Sequence, residues 1–221
     1  MSAFERILSG FPDIDRLLDN IRLGDNVVWR VKSLDEFRCF AEPFAEQALA
    51  DGRTVIYMRF AGHEPLLRPR PGLKIREFDP DKGFEAFTVD IYNCITENGR
   101  EAFYIFDSLS ELQSVWYTDL MMGNFFRVTC PYLFCLDTVA CFPLLRGRHS
   151  FDAVARIRDT TQVFLDVYRG EGLYYIHPLK VWDRYSAKMF LPHAWDPGDG
   201  TLRTVEDGVA LSRYYRVLEE E

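Results

Sequence analysis

The sequence predicts an α/β protein with a mainly parallel sheet. Residues 26–31, 54–60 and 102–106 are short apolar runs without polar alternation, as in strands that are buried on both faces. Segments with apolar residues at helical spacing lie between these runs. Strands that alternate with amphipathic helices are typical of a parallel sheet with helices on both sides. We therefore expect three layers, α/β/α, with an antiparallel hairpin near the C terminus.

The first part of the chain contains turn and loop signals on either side of the first strands. Residues 4–20 are expected to form helical pieces around a turn at residues 10–13, which contains a glycine and a proline. Residues 34–50 have the composition and length of a helix. Residues 64–72 contain three prolines, too many for a helix or a central strand, so we expect a loop.

The remaining elements follow from the same patterns. Residues 73–78 alternate apolar and charged side chains, as in a half-exposed strand. Residues 83–98 carry apolar side chains at helical spacing, and Gly99 is expected to end that helix. The other expected elements are a helix at 112–128, a strand at 132–141, a helix at 151–160 capped by Ser150, strands at 162–168 and 173–182 joined by a glycine-rich turn, and an edge strand or helix at 209–217.

Composition limits the class of protein. The chain has 221 residues, 48% of them hydrophobic and 15% aromatic, enough for one packed domain. We expect that domain at residues 1–191 and a C-terminal extension at residues 192–221 that packs on it or trails it. The net charge of −8 repels nucleic acid and anionic membranes, so neither is an expected partner.

Cysteine and histidine usage gives further expectations. The five cysteines include no CxxC pair, which indicates reduced thiols, and no window approaches about 18 uncharged apolar residues. We therefore expect a soluble cytoplasmic protein. His177 and His193 have no ligand pattern around them, so no metal is expected.

Three segments resemble the KaiC branch of the RecA-like ATPases. They are residues 9–18, similar to the segment that leads into the family's first strand; residues 51–58, similar to the start of its second strand; and residues 103–110, similar to its Walker B strand. The resemblance covers about residues 4–185. It implies a RecA-like fold, with Asp107 in the position of the Walker B acid and Ser108 next to it. Read from the residues alone, Asp107 is a site residue, a helix cap or an ion-pair partner.

The same resemblance implies that the phosphate loop is degenerate. A working loop needs glycines, a lysine for the terminal phosphates and a hydroxyl for magnesium. The family's spacing places Arg30 at the first glycine, Glu36 at the lysine and Phe37 at the hydroxyl. The family's acidic pair after its second strand would fall near Ala61 and Gly62. The resemblance therefore implies an ATPase frame without its phosphate chemistry, and we expect no cofactor.

A physical reason for the changed loop lies in the residues that replace it. Ser33 and Glu36 fit a capping box, in which Ser is the N-cap and Glu is three positions later. Asp35 and Glu36 also complement the positive end of the helix. We expect these carboxylates to fill the position that a phosphate would use and to repel a triphosphate. His63 and Glu64, just beyond the second strand, are weaker site candidates.

A second resemblance concerns a possible partner. Residues 4–10, 123–126, 129–134 and 177–182 resemble the N-terminal region of bacterial proteins related to phosphoenolpyruvate synthase, the pyruvate, water dikinase. The resemblance implies that this chain is an accessory domain of such a phosphotransfer enzyme.

A dense basic stretch supplies candidate anion- or partner-binding residues. Arginine is suited to bidentate binding of phosphate or carboxylate. The alternative is a solvated face with internal ion pairs to Asp152 and Asp159. The candidates are Arg146, Arg148, His149, Arg156 and Arg158.

These observations predict a non-catalytic pseudo-ATPase that acts as a regulatory module. It would dock onto a second copy of itself or onto a phosphotransfer enzyme domain. One alternative is a nucleotide-binding protein that uses Asp107 and the basic stretch in a non-standard way. Another is a phosphotransferase subdomain that contributes residues to a site on another domain.

Overall fold

The fold is described from a computed structural model that covers residues 4–60, 62–116 and 118–220, with the side chains of Ser114 and Trp116 excepted. Within these residues the strands are β1 (Arg6–Ile7), β2 (Ile21–Arg22), β3 (Asn26–Val31), β4 (Val55–Arg59), β5 (Leu73–Glu77), β6 (Phe103–Asp107), β7 (Val139–Leu145), β8 (Val163–Gly170), β9 (Leu173–Val181), β10 (His193–Trp195) and β11 (Leu202–Thr204). The α-helices of the same residues are α1 (Pro12–Leu18), α2 (Leu34–Ala50), α3 (Phe84–Asn98), α4 (Gln113–Trp116), α5 (Asp119–Cys135), α6 (Phe151–Thr160) and α7 (Gly208–Glu219). None of these helices is long and apolar enough to cross a membrane.

A large, mostly parallel sheet is the centre of the molecule. Its nine strands in the described part of the chain lie in the order β5-β4-β6-β7-β3-β8-β9-β10-β11. The pairs from β5 to β8 are all parallel, whereas β8, β9, β10 and β11 pair antiparallel with one another. Strands β1 and β2 form a separate two-stranded ladder. The fold is therefore mixed α/β, as the apolar strands predicted.

Alternate residues of the central strands belong to two different hydrophobic clusters. In β3, Val27 and Trp29 join the cluster that contains residues of α1 and α2, while Val28 joins the cluster that contains residues of α3, α5 and α6. Strand side chains alternate between the two faces of a sheet, so each cluster belongs to one face. The predicted double burial of these strands is confirmed, since Val27 and Val28 are both fully buried.

One predicted strand is wrong in its position. Residues 132–141 were expected to form a strand, but α5 continues to Cys135 and β7 begins at Val139. Pro131 lies inside α5, although proline usually disfavours a helix interior. Leu133, two positions beyond Pro131, is fully buried in the core, so tertiary packing maintains the last helical turn.

The C-terminal residues continue the sheet. Strand β10 pairs with β9, and β11 pairs with β10. The segment at 209–217 is helical, as α7, and packs on β8. Gly170 at the end of β8 allows this contact, because a Cβ atom there would lie 2.1 Å from Cγ2 of Val217. Strands β10 and β11 therefore extend the same sheet, and α7 packs on it.

Candidate functional site

A cavity of about 370 Å³ lies where the parallel strands end. Its wall is formed by residues from the loop after β3 and the start of α2, from the loop after β4, and from the segments that follow β6 and β7. The carboxyl ends of parallel strands are the usual place for ligand sites in α/β proteins. This edge is therefore the candidate site.

The loop after β3 is closed by the chain's own side chains. Ser33 is the N-cap of α2, and its Oγ accepts a hydrogen bond from the Glu36 amide at 3.3 Å, which confirms the predicted cap. The Glu36 carboxylate accepts a hydrogen bond from the Lys32 amide at 2.9 Å, one residue earlier than in the usual capping box. Glu36 is only 4% exposed. A buried carboxylate thus lies at the positive end of a 17-residue helix.

The neighbouring loop residues have different roles. Phe37, at the position expected for a magnesium-binding hydroxyl, is a residue of α2 and is fully buried in the hydrophobic core. Asp35 is exposed and lies 3.4 Å from Arg38 on the same helix. Phe37 therefore supplies no magnesium ligand at the position of the hydroxyl.

Arg30, at the position of the first loop glycine, is bound to the neighbouring strand β8. Its Nη1 donates to Oδ2 of Asp166 in β8 at 3.2 Å. Arg146, after β7, donates to Oδ1 of the same carboxylate at 2.6 Å and to the Val167 carbonyl at 2.7 Å. Its guanidinium also lies 3.8 Å from the ring centre of Tyr168. Arg146 therefore holds β7 to β8 rather than offering a free charge.

Asp107 is completely buried at the end of β6, with two neighbouring groups. The hydroxyl of Tyr57 donates to its Oδ2, and Nε2 of His63 lies 3.0 Å from its Oδ1. This contact is within ion-pair distance but does not have hydrogen-bond geometry. An ion pair with the protonated His63 is one of the roles that the sequence left open for Asp107. Ser108 is also buried, and its Oγ has no hydrogen-bond partner among the described residues.

The contacts of His63 determine where its protons lie. Nδ1 is 2.8 Å from the Glu64 carbonyl, which can only accept, so Nδ1 must donate. Nε2 faces the Asp107 carboxylate, where a lone pair would be repelled. A neutral ring can satisfy only one of these two contacts, so together they favour the protonated imidazole. The contact with Asp107 raises the pKa of His63, although partial burial opposes this.

Tyr57 completes the arrangement around Asp107. Burial, together with the Asp107 carboxylate, raises the pKa of Tyr57 far above its ordinary value, so the hydroxyl stays protonated. The same oxygen accepts a hydrogen bond from the Leu66 amide at 2.7 Å. Arg59 donates to the His63 carbonyl at 2.6 Å. These contacts fasten the loop after β4 to the strand ends.

A buried Ser-His-Asp network lies next to the cavity. His149 Nε2 is 2.8 Å from Ser110 Oγ, and its Nδ1 is 3.0 Å from Asp119 Oδ1. In a neutral ring Nδ1 donates to the Asp119 carboxylate, so Nε2 accepts the Ser110 hydroxyl proton, and Ser110 Oγ also accepts the Leu145 amide at 3.0 Å. Burial lowers the pKa of His149, in agreement with a neutral ring. Ser110 is buried and does not line the cavity, so the network ties β7 to the start of α5.

The basic stretch does not form one surface. Arg148 is exposed and lines the cavity, whereas Arg146 and His149 are engaged inside the protein. Arg156, on α6, lines a separate hollow near Ser150. The carbonyl of Arg158, near the end of α6, accepts a hydrogen bond from Lys180 of β9. The helix between β7 and β8 thus carries the last two arginines away from the cavity.

Some residues of the site were not predicted from the sequence. Tyr57 and Arg38 were missed, although a hydroxyl among the apolar residues 55–58 was a usable signal for Tyr57. The family's acidic pair would fall near Ala61 and Gly62. Gly62 is exposed, and Ala61 lies outside the described residues. Among the described residues, no group of three or more His, Cys, Asp or Glu side chains could hold a metal ion.

No family model matches this chain, and no curated protein matches it.

Proposed function

We propose that this chain is a RecA-like domain without ATPase chemistry, and that it acts as a non-catalytic interaction or regulatory module. The observation that carries the proposal is the buried carboxylate of Glu36 at the start of α2. In a phosphate loop, the backbone amides there bind phosphate. Here a carboxylate of the protein accepts one of those amides, and its charge opposes a triphosphate.

The strand arrangement supports the RecA-like class. Strand β7 lies between β3, which precedes the degenerate loop, and β6, which carries Asp107. The loop after β3 and Asp107 at the end of β6 thus lie at one edge of a parallel sheet, as the resemblance implies. The two hydrophobic clusters, with different helices in each, agree with three layers. The antiparallel pairing of β8 with β9 agrees with the expected hairpin.

The remaining catalytic positions support the loss of ATPase chemistry. Phosphoryl transfer depends on groups that position the phosphates and neutralise their charge. Phe37 replaces the hydroxyl with a core side chain, and Glu36 replaces the lysine. Asp107 is already held by Tyr57 and His63, so it would have to give up these contacts to orient a magnesium ion.

Calorimetry with Mg-ATP tests this part of the proposal. We expect no saturable heat at millimolar nucleotide. The double variant Asp35→Gly and Glu36→Lys should also lack ATPase activity, because Phe37 and the buried Asp107 are unchanged. A micromolar Kd for Mg-ATP would contradict the proposal. Its loss in Asp107→Asn, with the melting curve retained, would favour the nucleotide-binding alternative.

We further propose that the module docks through the edge of the sheet that carries the cavity, onto a phosphotransfer enzyme domain or a second copy of the chain. Exposed cationic groups support this surface. Arg148 follows β7, and Arg68 lies in the exposed part of the loop after β4. Such groups favour a partner's carboxylates or phosphates and give salt-dependent association.

A further inference from the structure

We propose that the cavity at the carboxyl edge binds a small organic anion, a carboxylate or a phosphate on a compact apolar body, between Arg38 and Arg148. This inference rests on the proposed loss of nucleotide binding, since it assigns another occupant to the same edge of the sheet. Arg38 was not among the residues that sequence patterns indicated.

Arg148 supplies an available guanidinium. It is exposed in the short loop between β7 and α6, and its side chain lines the cavity. Within the described residues, this guanidinium has no hydrogen-bond or ion-pair partner. An arginine fork pairs with two oxygens of a carboxylate or phosphate at once.

Arg38 supplies a second guanidinium to the wall of the same cavity. It lies one turn into α2, its side chain is 39% exposed, and it lines the same cavity. Its nearest carboxylate is Asp35 at 3.4 Å, whose side chain is 80% exposed. Exposed pairs of this kind contribute little, so a ligand can compete for the arginine. The Nε of Arg38 is buried and has no hydrogen-bond acceptor among the described residues.

The rest of the wall indicates the size and body of the ligand. Leu34, Leu66 and Leu145 give the cavity an apolar part. A volume of about 370 Å³ is at the lower end for small-molecule sites. The ligand is therefore a small molecule with a short apolar portion, rather than a nucleotide.

Other charged groups on the wall set the charge of the ligand. Lys32 adds positive charge, as does His63 when it is protonated, whereas Asp35, Glu64 and Glu111 add negative charge. The three carboxylates offset the positive charges of Arg38, Arg148 and Lys32, so the wall opposes a polyanion. The balance favours a ligand with one or two negative charges.

The test uses the full chain and two probes, inorganic phosphate and malonate, at low ionic strength with chloride as the ionic control. Binding is followed by isothermal calorimetry and by backbone amide shifts in nuclear magnetic resonance spectra. We expect at least one probe to saturate in the millimolar range and to shift amides beside Arg38 and Arg148. Preference for phosphate or malonate identifies which of the two anionic groups the cavity takes.

Three variants locate the site. Arg148→Met and Arg38→Met should each weaken binding about tenfold or more, as expected for the loss of a charge-assisted pair. Arg156→Met, on the exposed face of α6 outside the cavity, should bind like the parent. Equal binding by parent and Arg148→Met, or no saturation with either probe, would overturn the proposal. Neither outcome concerns Mg-ATP, so the two proposals fail separately.

Discussion

The contact between His63 and Asp107 joins two residues that are 44 positions apart at one strand edge. Because it favours the protonated imidazole, the folded state binds a proton more tightly than the unfolded chain does. The stabilisation is therefore fully present below pH 6.5, the ordinary pKa of histidine, and is lost as the pH rises through the raised pKa.

A first prediction concerns this pKa. In a pH titration followed by nuclear magnetic resonance, His63 should titrate above 6.5, and Asp107→Asn should lower its pKa because the carboxylate charge is gone. The melting temperature of the variant should also lose the corresponding dependence on pH. A His63 pKa that is the same in parent and variant would show that Asp107 does not hold the proton.

A second residue-scale prediction concerns the cap of α2. Ser33→Ala should lower the free energy of unfolding by about 1 kcal/mol, because the Glu36 amide loses its acceptor. Ser33→Asp, which keeps a capping oxygen, should recover most of the loss. Ser212→Ala, in the exposed middle of α7, is the matched control and should change stability little. Urea unfolding measures all three, and overlaid curves for parent and Ser33→Ala would refute the cap.

At the scale of elements, the packing of α7 on β8 depends on one glycine. Gly170 has no side chain where Val217 approaches, and a Cβ atom would lie 2.1 Å from Cγ2 of Val217. The helix is amphipathic and buries Tyr214 and Val217 against the antiparallel strands. The contact therefore decides how α7 lies against the sheet.

Gly170→Ala should destabilise the protein by about 1–3 kcal/mol, the usual range for overpacking. Gly208→Ala is the control, since a Cβ atom there meets nothing within 4 Å. Adding Val217→Ala to Gly170→Ala should restore part of the loss, because it removes the clashing methyl groups. Chemical denaturation compares the four proteins. Equal effects of Gly170→Ala and Gly208→Ala on stability would argue against the observed packing.

At the scale of the whole molecule, the net charge of −8 makes the positive groups at the cavity edge a local exception. Arg148→Glu should weaken association with a phosphoenolpyruvate-synthase-like partner or with a second copy, most strongly at low salt. The fold should remain intact, because Arg148 is exposed. Arg146→Glu is unsuitable for this test, since Arg146 pairs with the buried Asp166 and its reversal would damage the sheet.

Sedimentation and pull-down at two salt concentrations measure the association. Arg156→Glu, on α6 outside the cavity, is the control and should leave it unchanged. A strict monomer that captures no phosphotransfer partner at low salt would refute the docking surface.

Local patterns determined much of the fold. The strand at 26–31 was predicted with the observed bounds, because an apolar run between turn residues leaves few alternatives. The cap by Ser33 was predicted as well, since it depends on residues three positions apart. The end of α5 was not, because the residues around Pro131 are apolar in either conformation and only core packing decides between helix and strand.

Only the tertiary structure decided the composition of the site. Tyr57, His63 and Asp107 meet because β4 and β6 are neighbours in the sheet, and strand order is not a local property of sequence. The basic stretch reads as one cluster along the chain, yet α6 separates Arg148 from Arg158. Local periodicity determines which residues form elements. The packing of those elements determines which charges are neutralised inside the protein and which stay available at the cavity.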